Sequence, residues 1–146
     1  MILIIGYGSP LRGDDGLGWH AAEALRERLG GRDVEVIASH QLTPEMAEPI
    51  SRAGRVLFID ARDGGEPGEI FREPVSPAGP GSFTHHMTPA AVLAWARALY
   101  GRAPEAMLLS MAGADFDPGP ELSPAVRAAL PDLWRQVEAY LTKGGS

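Results

Sequence analysis

The sequence predicts an α/β protein: a three-layer α/β/α sandwich on a mainly parallel, twisted sheet, with one exposed edge strand free to run antiparallel. Three observations predict it. Short apolar runs recur at 2–5, 34–38, 55–60 and 106–114. Between most of them lie segments whose apolar residues repeat every three or four positions, the period of one helix face. The two kinds of segment alternate, and strands joined through helices lie parallel with helices packed on both faces. At 146 residues the chain fits a single domain over 1–146 that buries about two thirds of its unfolded surface.

Taken in order, Ile2 to Ile5 form a strand buried on both faces. Leu17, Ala21, Leu25 and Leu29 then mark one side of a helix over 15–29, ended by Gly30 and Gly31. Residues 34–38 are a second strand. Thr43 and Pro44 open a second helix as N-cap and first-turn proline, and Pro49 shortens or bends it. The run 55–60 is a third buried strand ending on Asp60, and 68–73 reads as a more exposed edge strand. A Pro/Gly-rich stretch over 74–83 is short and internal, which marks a functional loop rather than a linker. Thr88 and Pro89 repeat the cap-and-proline start, with Val92, Ala96 and Leu99 at helical spacing. The strand 106–114 follows. Ser123 and Pro124 then start a last helix whose inner side is Val126, Leu130, Leu133, Val137 and Leu141.

Composition excludes several functions. A net charge of −6 argues against a broad nucleic-acid or anionic-membrane surface, both of which need a basic face. The chain has no cysteine, so disulfides, thiolate metal sites and a cysteine nucleophile are impossible. No apolar run approaches the roughly 20 residues of a membrane helix. "MILII" has no basic flank and reads as a strand rather than a signal peptide. A cytoplasmic location is the expectation these features allow.

In open α/β sheets, sites form beyond the carboxyl ends of the strands. Asp14 and Asp15 follow strand one, His40 follows strand two, and Asp60 closes strand three. His85 and His86 stand between the Pro/Gly loop and a helix start, within reach of the same edge. Each has an ordinary explanation: an N-cap for Asp14 or Asp15, loop amides for Asp60, solvent for a histidine. Gathered at one edge, however, mutually repelling carboxylates call for a cation or protons. One imidazole with two carboxylates suits nickel, manganese, zinc or cobalt, without selecting among them. The Gly6-x-Gly8 start resembles a dinucleotide fingerprint, but Leu11 stands where its third glycine belongs. Neither a G-x-S-x-G nucleophile turn nor an H-E-x-x-H zinc motif occurs.

These residues add up to a family pattern. "GYGSPLRGDDGLG" (6–18) resembles the amino-terminal signature of the hydrogenase maturation endopeptidases: a strand, G-x-G-[NS]-x-L, an acidic pair and G-x-G. "VLFIDA" (56–61) is similar to that family's third strand with its terminal aspartate. "THHMTPAAVLAWA" (84–96) resembles its histidine and following amphipathic helix, and "LSPAVRAALP" (122–131) its last helix start. The resemblance spans nearly the whole chain in the expected order. It implies that the family's metal ligands, which are also its catalytic residues, fall on Asp15, Asp60 and His85, with Asp15 where the family uses Glu or Asp. Residues 39–44, "SHQLTP", depart from the family's common Asp-Gly-Gly-Thr. They look like the variant of subgroups serving soluble, cofactor-linked hydrogenases.

The resemblance thus implies a cytoplasmic endopeptidase for the precursor large subunit of a [NiFe] hydrogenase. It would remove a short carboxyl-terminal peptide once nickel is inserted. The nickel is supplied by the substrate, with zinc or cadmium as crystallographic substitutes. Neither nucleic acid nor membrane is an implied partner. Two rivals use the same residues: a non-enzymatic nickel metallochaperone or assembly scaffold, and a Rossmann-like nucleotide binder, against which the missing third glycine counts.

Overall fold

A computed structural model describes residues 1–79 and 87–143. Five strands and four helices alternate as the sequence predicts. They are β1 (Ile2–Tyr7), α1 (Leu17–Arg28), β2 (Val34–Ser39), α2 (Ala47–Arg52), β3 (Arg55–Arg62), β4 (Ile70–Val75), α3 (Pro89–Tyr100), β5 (Glu105–Ala112) and α4 (Pro124–Lys143). The sheet order is β2-β1-β3-β5-β4. The first four strands in that order are parallel, and β4 runs antiparallel to β5.

Strand alternation splits the core into two layers. Ile4, Leu57, Ile59, Leu109 and Met111 face α1 and α4, where they meet Leu17, Leu25, Val126 and Leu133. Leu3, Ile5, Val56 and Phe58 face the other way, onto Ile50 of α2 and Val92, Leu93 and Ala96 of α3. By the period of two, Asp60 and Arg62 continue the Val56–Phe58 side. Both apolar stripes expected for α1 and α4 lie in the core, with Leu130 packed at its margin.

Several boundaries differ from the sequence reading. Helix α1 begins at Leu17, because Gly13–Gly16 form a 3-10 turn that contains both acids. Neither acid caps α1, whose N-cap is Gly16 with no side-chain bond. Thr43 likewise makes no side-chain cap, and the expected second helix is split into a 3-10 turn over Pro44–Met46 and the six-residue α2. Pro49 explains the split, since without an N–H it cannot bond back to Glu45. Thr88 does cap α3, accepting from the Ala91 N–H at 3.1 Å. Leu99 is 56 % exposed, so the apolar side of α3 is Val92, Leu93 and Ala96 instead. Strand β3 continues two residues beyond Asp60, because Ala61 and Arg62 pair with Met111 and Ala112.

The glycine motif is a packing device. A Cβ on Gly18 would stand 2.3 Å from the carbonyl oxygens of both Tyr7 and Ile59, so glycine lets α1 lie directly on β1 and β3. Gly8 has a φ of 144°, and a Cβ there would meet the Asp15 carbonyl oxygen at 2.0 Å. That close approach folds the turn 8–16 back on itself and fixes Asp15 at the end of β1.

Candidate active site

The carboxyl ends of the parallel strands open into a cleft of about 740 Å3. Tyr7 of β1, Asp15, Asp60 of β3 and His40 after β2 line it, with Leu108 and Phe116 as part of its apolar wall. Met87, Thr88 and Pro89, which open α3, line it too. Asp15 and Asp60, 45 positions apart in the chain, therefore meet at one opening, and Asp15 electrostatically perturbs Asp60.

Each acid is held differently. The Ser9 backbone N–H donates to Asp15 Oδ2 at 3.0 Å, leaving the other oxygen without a protein donor among the described residues. Asp60 is largely buried, and burial pushes its carboxyl up to about 6. The Tyr7 hydroxyl and the Ala61 N–H pull it down by hydrogen bonding, while the Asp15 charge pushes it up. Burial, the Asp60 charge and that same hydrogen bond raise the Tyr7 phenol in turn, so Tyr7 acts as a donor throughout the ordinary pH range.

Asp14 is fully buried and has a structural task. Its Oδ2 accepts from the N–H groups of Ala114 and Asp115 at 2.7 and 3.1 Å, and its Oδ1 from Ser123 at 2.7 Å. Burial alone would raise its pKa, but these bonds outweigh it and hold the carboxyl below the ordinary value. The same contact is laced by backbone bonds from Gly13 to Gly119 at 2.9 Å and from Gly119 to Leu11 at 2.8 Å. Asp14 thereby clamps the 113–123 loop, which carries Phe116, against the turn that carries Asp15.

His85 and His86 lie outside the described residues. Among the described residues no group of three histidine or acidic side chains is arranged to hold a metal ion. His40 is exposed at the rim of the cleft. Sequence reasoning missed the Tyr7–Asp60 bond, although Tyr7 ends a central strand where sites form. It also missed the reach of Asp14 to partners some hundred residues away, for which no local signal exists.

No protein-family model matches the chain, and no curated protein matches it. Solved structures do. The chain is similar to the hydrogenase maturating endopeptidase HybD from Escherichia coli, with 26 % identity and a TM-score of 0.81 over 99 % of this chain and 93 % of that one. It is similar to the [NiFe] hydrogenase maturation protease HycI from Thermococcus kodakarensis KOD1, with 25 % identity and a TM-score of 0.77 over 97 % and 92 %. Over nearly its whole length the chain is similar to hydrogenase maturation endopeptidases, and that likeness supports a peptidase. A third structure, of an endopeptidase from Escherichia coli, matches at 25 % identity and a TM-score of 0.75 over 99 % and 93 %. In this endopeptidase the cleft at the sheet edge is the candidate for peptide hydrolysis. No helix of the described residues is long and apolar enough to cross a membrane.

Proposed function

We propose that this endopeptidase removes a carboxyl-terminal peptide from the precursor large subunit of a [NiFe] hydrogenase, and that nickel already seated in that substrate is what it recognises. The observation that carries the reading is the meeting of Asp15 and Asp60 in one open cleft. No ion pair among the described residues reaches either carboxylate, although Arg12 also lines the cleft, and Asp60 is raised as a result of burial and of Asp15. A divalent ion entering between them relieves both effects.

The donor set fits that cargo. Carboxylate oxygens with one imidazole are acceptable nickel ligands, and His85 is the imidazole we assign. The chain has no cysteine, so it offers no soft ligand with which to strip nickel from its client. Recognition comes first: Asp15, Asp60 and His85 complete the coordination of the substrate's nickel, which fixes the neighbouring peptide bond over the cleft. Hydrolysis then breaks one C–N bond, with water giving its hydroxyl to the acyl carbon and a proton to the amine. The client is expected in the cytoplasm, and the "SHQLTP" segment at the rim favours a soluble, cofactor-linked hydrogenase.

Incubation with nickel-loaded and nickel-free precursor, followed by intact-mass spectrometry, tests this reading. Shortening of the loaded precursor alone is the expected outcome. A precursor bound but never shortened points to a metallochaperone instead, and equal shortening of both forms removes nickel from recognition.

A further inference from the structure

Arg62 stands two residues past Asp60 on the same side of β3, and its guanidinium lies 3.9 Å over the Phe71 ring of β4. Its Nε is buried and has no hydrogen-bond partner. None of the ion pairs among the described residues involves it, although Asp63, Glu66 and Glu69 follow closely in the chain. Glu69 is occupied instead, accepting from the Glu66 backbone N–H at 3.1 Å. The guanidinium is held flat on the ring, and its charge has no acidic partner among the described residues.

The position says what the partner is. The cleft crosses the carboxyl edge of the sheet from β2 through β1 and β3 to β5, as its lining residues His40, Tyr7, Asp60 and Leu108 show. Arg62 and Phe71 continue that line onto β4. A peptide held at Asp60 and running along this edge brings a neighbouring residue to Arg62. Stacking fixes the guanidinium plane, and its outer edge with the two Nη groups presents paired donors that match a carboxylate bidentately.

We infer that Arg62, stacked on Phe71, is a subsite for a carboxylate of the bound peptide, either an acidic side chain or the terminal carboxylate of the segment removed. That the peptide is the tail of a hydrogenase precursor rests on the function proposed above; carboxylate binding itself does not. The subsite supplies affinity and orientation, while the chemistry stays at the carboxylates of the cleft.

Nuclear magnetic resonance of the arginine Nε–H groups tests it. The probes are acetyl-Gly-Glu-Gly-amide, acetyl-Gly-Gln-Gly-amide and acetyl-Gly-Gly-Gly with a free terminal carboxylate, at constant ionic strength. The Arg62 signal, identified by its loss in Arg62→Gln, is expected to shift saturably with a carboxylate probe and not with the glutamine probe. The carboxylate probe that saturates at lower concentration names the source. No saturable shift with either, or an equal shift with glutamine, overturns the subsite.

On nickel-loaded precursor, Arg62→Gln is expected to raise KM roughly tenfold to hundredfold, with kcat within about twofold of wild type. Arg62→Lys, which keeps the charge but not the fork, should fall between. An unchanged KM in Arg62→Gln also overturns the subsite. A saturable shift in a wild-type protein that cleaves no precursor supports the carboxylate site and removes the peptidase reading.

Discussion

Asp60→Asn is expected to melt higher than the wild type at pH 7 while losing its processing activity. Burial raises the Asp60 carboxyl from 3.8 to about 6, so the folded state disfavours the charge that Asp60 carries at neutral pH. The sign follows from linkage. A carboxyl whose folded pKa lies above its unfolded value costs stability once pH exceeds the folded value. The cost shrinks as pH falls and vanishes below the unfolded value. With each pKa unit equivalent to about 1.4 kcal/mol, the cost at pH 7 is on the order of 3 kcal/mol. An asparagine keeps an oxygen for the Tyr7 hydroxyl and carries no charge, so it recovers most of that. For a chain of this size the gain is about 4–8 °C in melting temperature. Thermal melts of both proteins from pH 4 to pH 8 should show the difference open with rising pH. A lower melting temperature for the variant at pH 7 contradicts the strained carboxylate. Loss of processing by a more stable variant is the trade expected where a site stores unfavourable charge for binding.

Asp14→Ala is expected to do the reverse, unfolding more easily by about 3–5 kcal/mol at pH 7. Three backbone N–H groups, from Ala114, Asp115 and Ser123, lose their shared acceptor in a buried place. An unsatisfied buried donor costs roughly 1–3 kcal/mol. Asp14→Asn is expected to fail in part, because its amide turns N–H groups toward N–H groups on one side. The pH dependence also has the opposite sign to that of Asp60. Hydrogen bonding holds the Asp14 carboxyl below 3.8, so its contribution is present above that value and lost as pH falls through the folded one. Urea unfolding at pH 7 and pH 3 should show a large gap between wild type and Asp14→Ala that narrows in acid. A gap below about 1 kcal/mol at pH 7 would mean the clamp is not what holds the 113–123 loop.

The contrast between these neighbours shows what the sequence revealed and what it hid. Alternating strands and helices were readable because period two and period 3.6 are local properties. Leu17, Ala21, Leu25 and Leu29 needed no knowledge of their partners to mark a buried side. The convergence of Asp15 and Asp60 was also readable, through the rule that parallel strands present their carboxyl ends together. Asp14 was not. As an acid before a helix it looked like an N-cap, and only the folded chain brings Ala114 and Ser123 to it. Leu99 kept the right spacing yet faces solvent, since periodicity says which residues share a side and not how far the covering layer extends. The Tyr7–Asp60 bond and the unused donor of Arg62 depend on where side chains reach across strands, which spacing along one strand does not encode. His85 was assigned through the family resemblance alone, and it lies outside the described residues.

Processing of nickel-loaded precursor by Asp15→Asn and His85→Ala, read by intact mass alongside thermal melts, tests the proposed nickel site most directly. If substrate nickel is gripped by Asp15, Asp60 and His85, both variants should leave the precursor full-length while melting within about 3 °C of wild type. Normal shortening of the precursor by either variant would contradict the assignment.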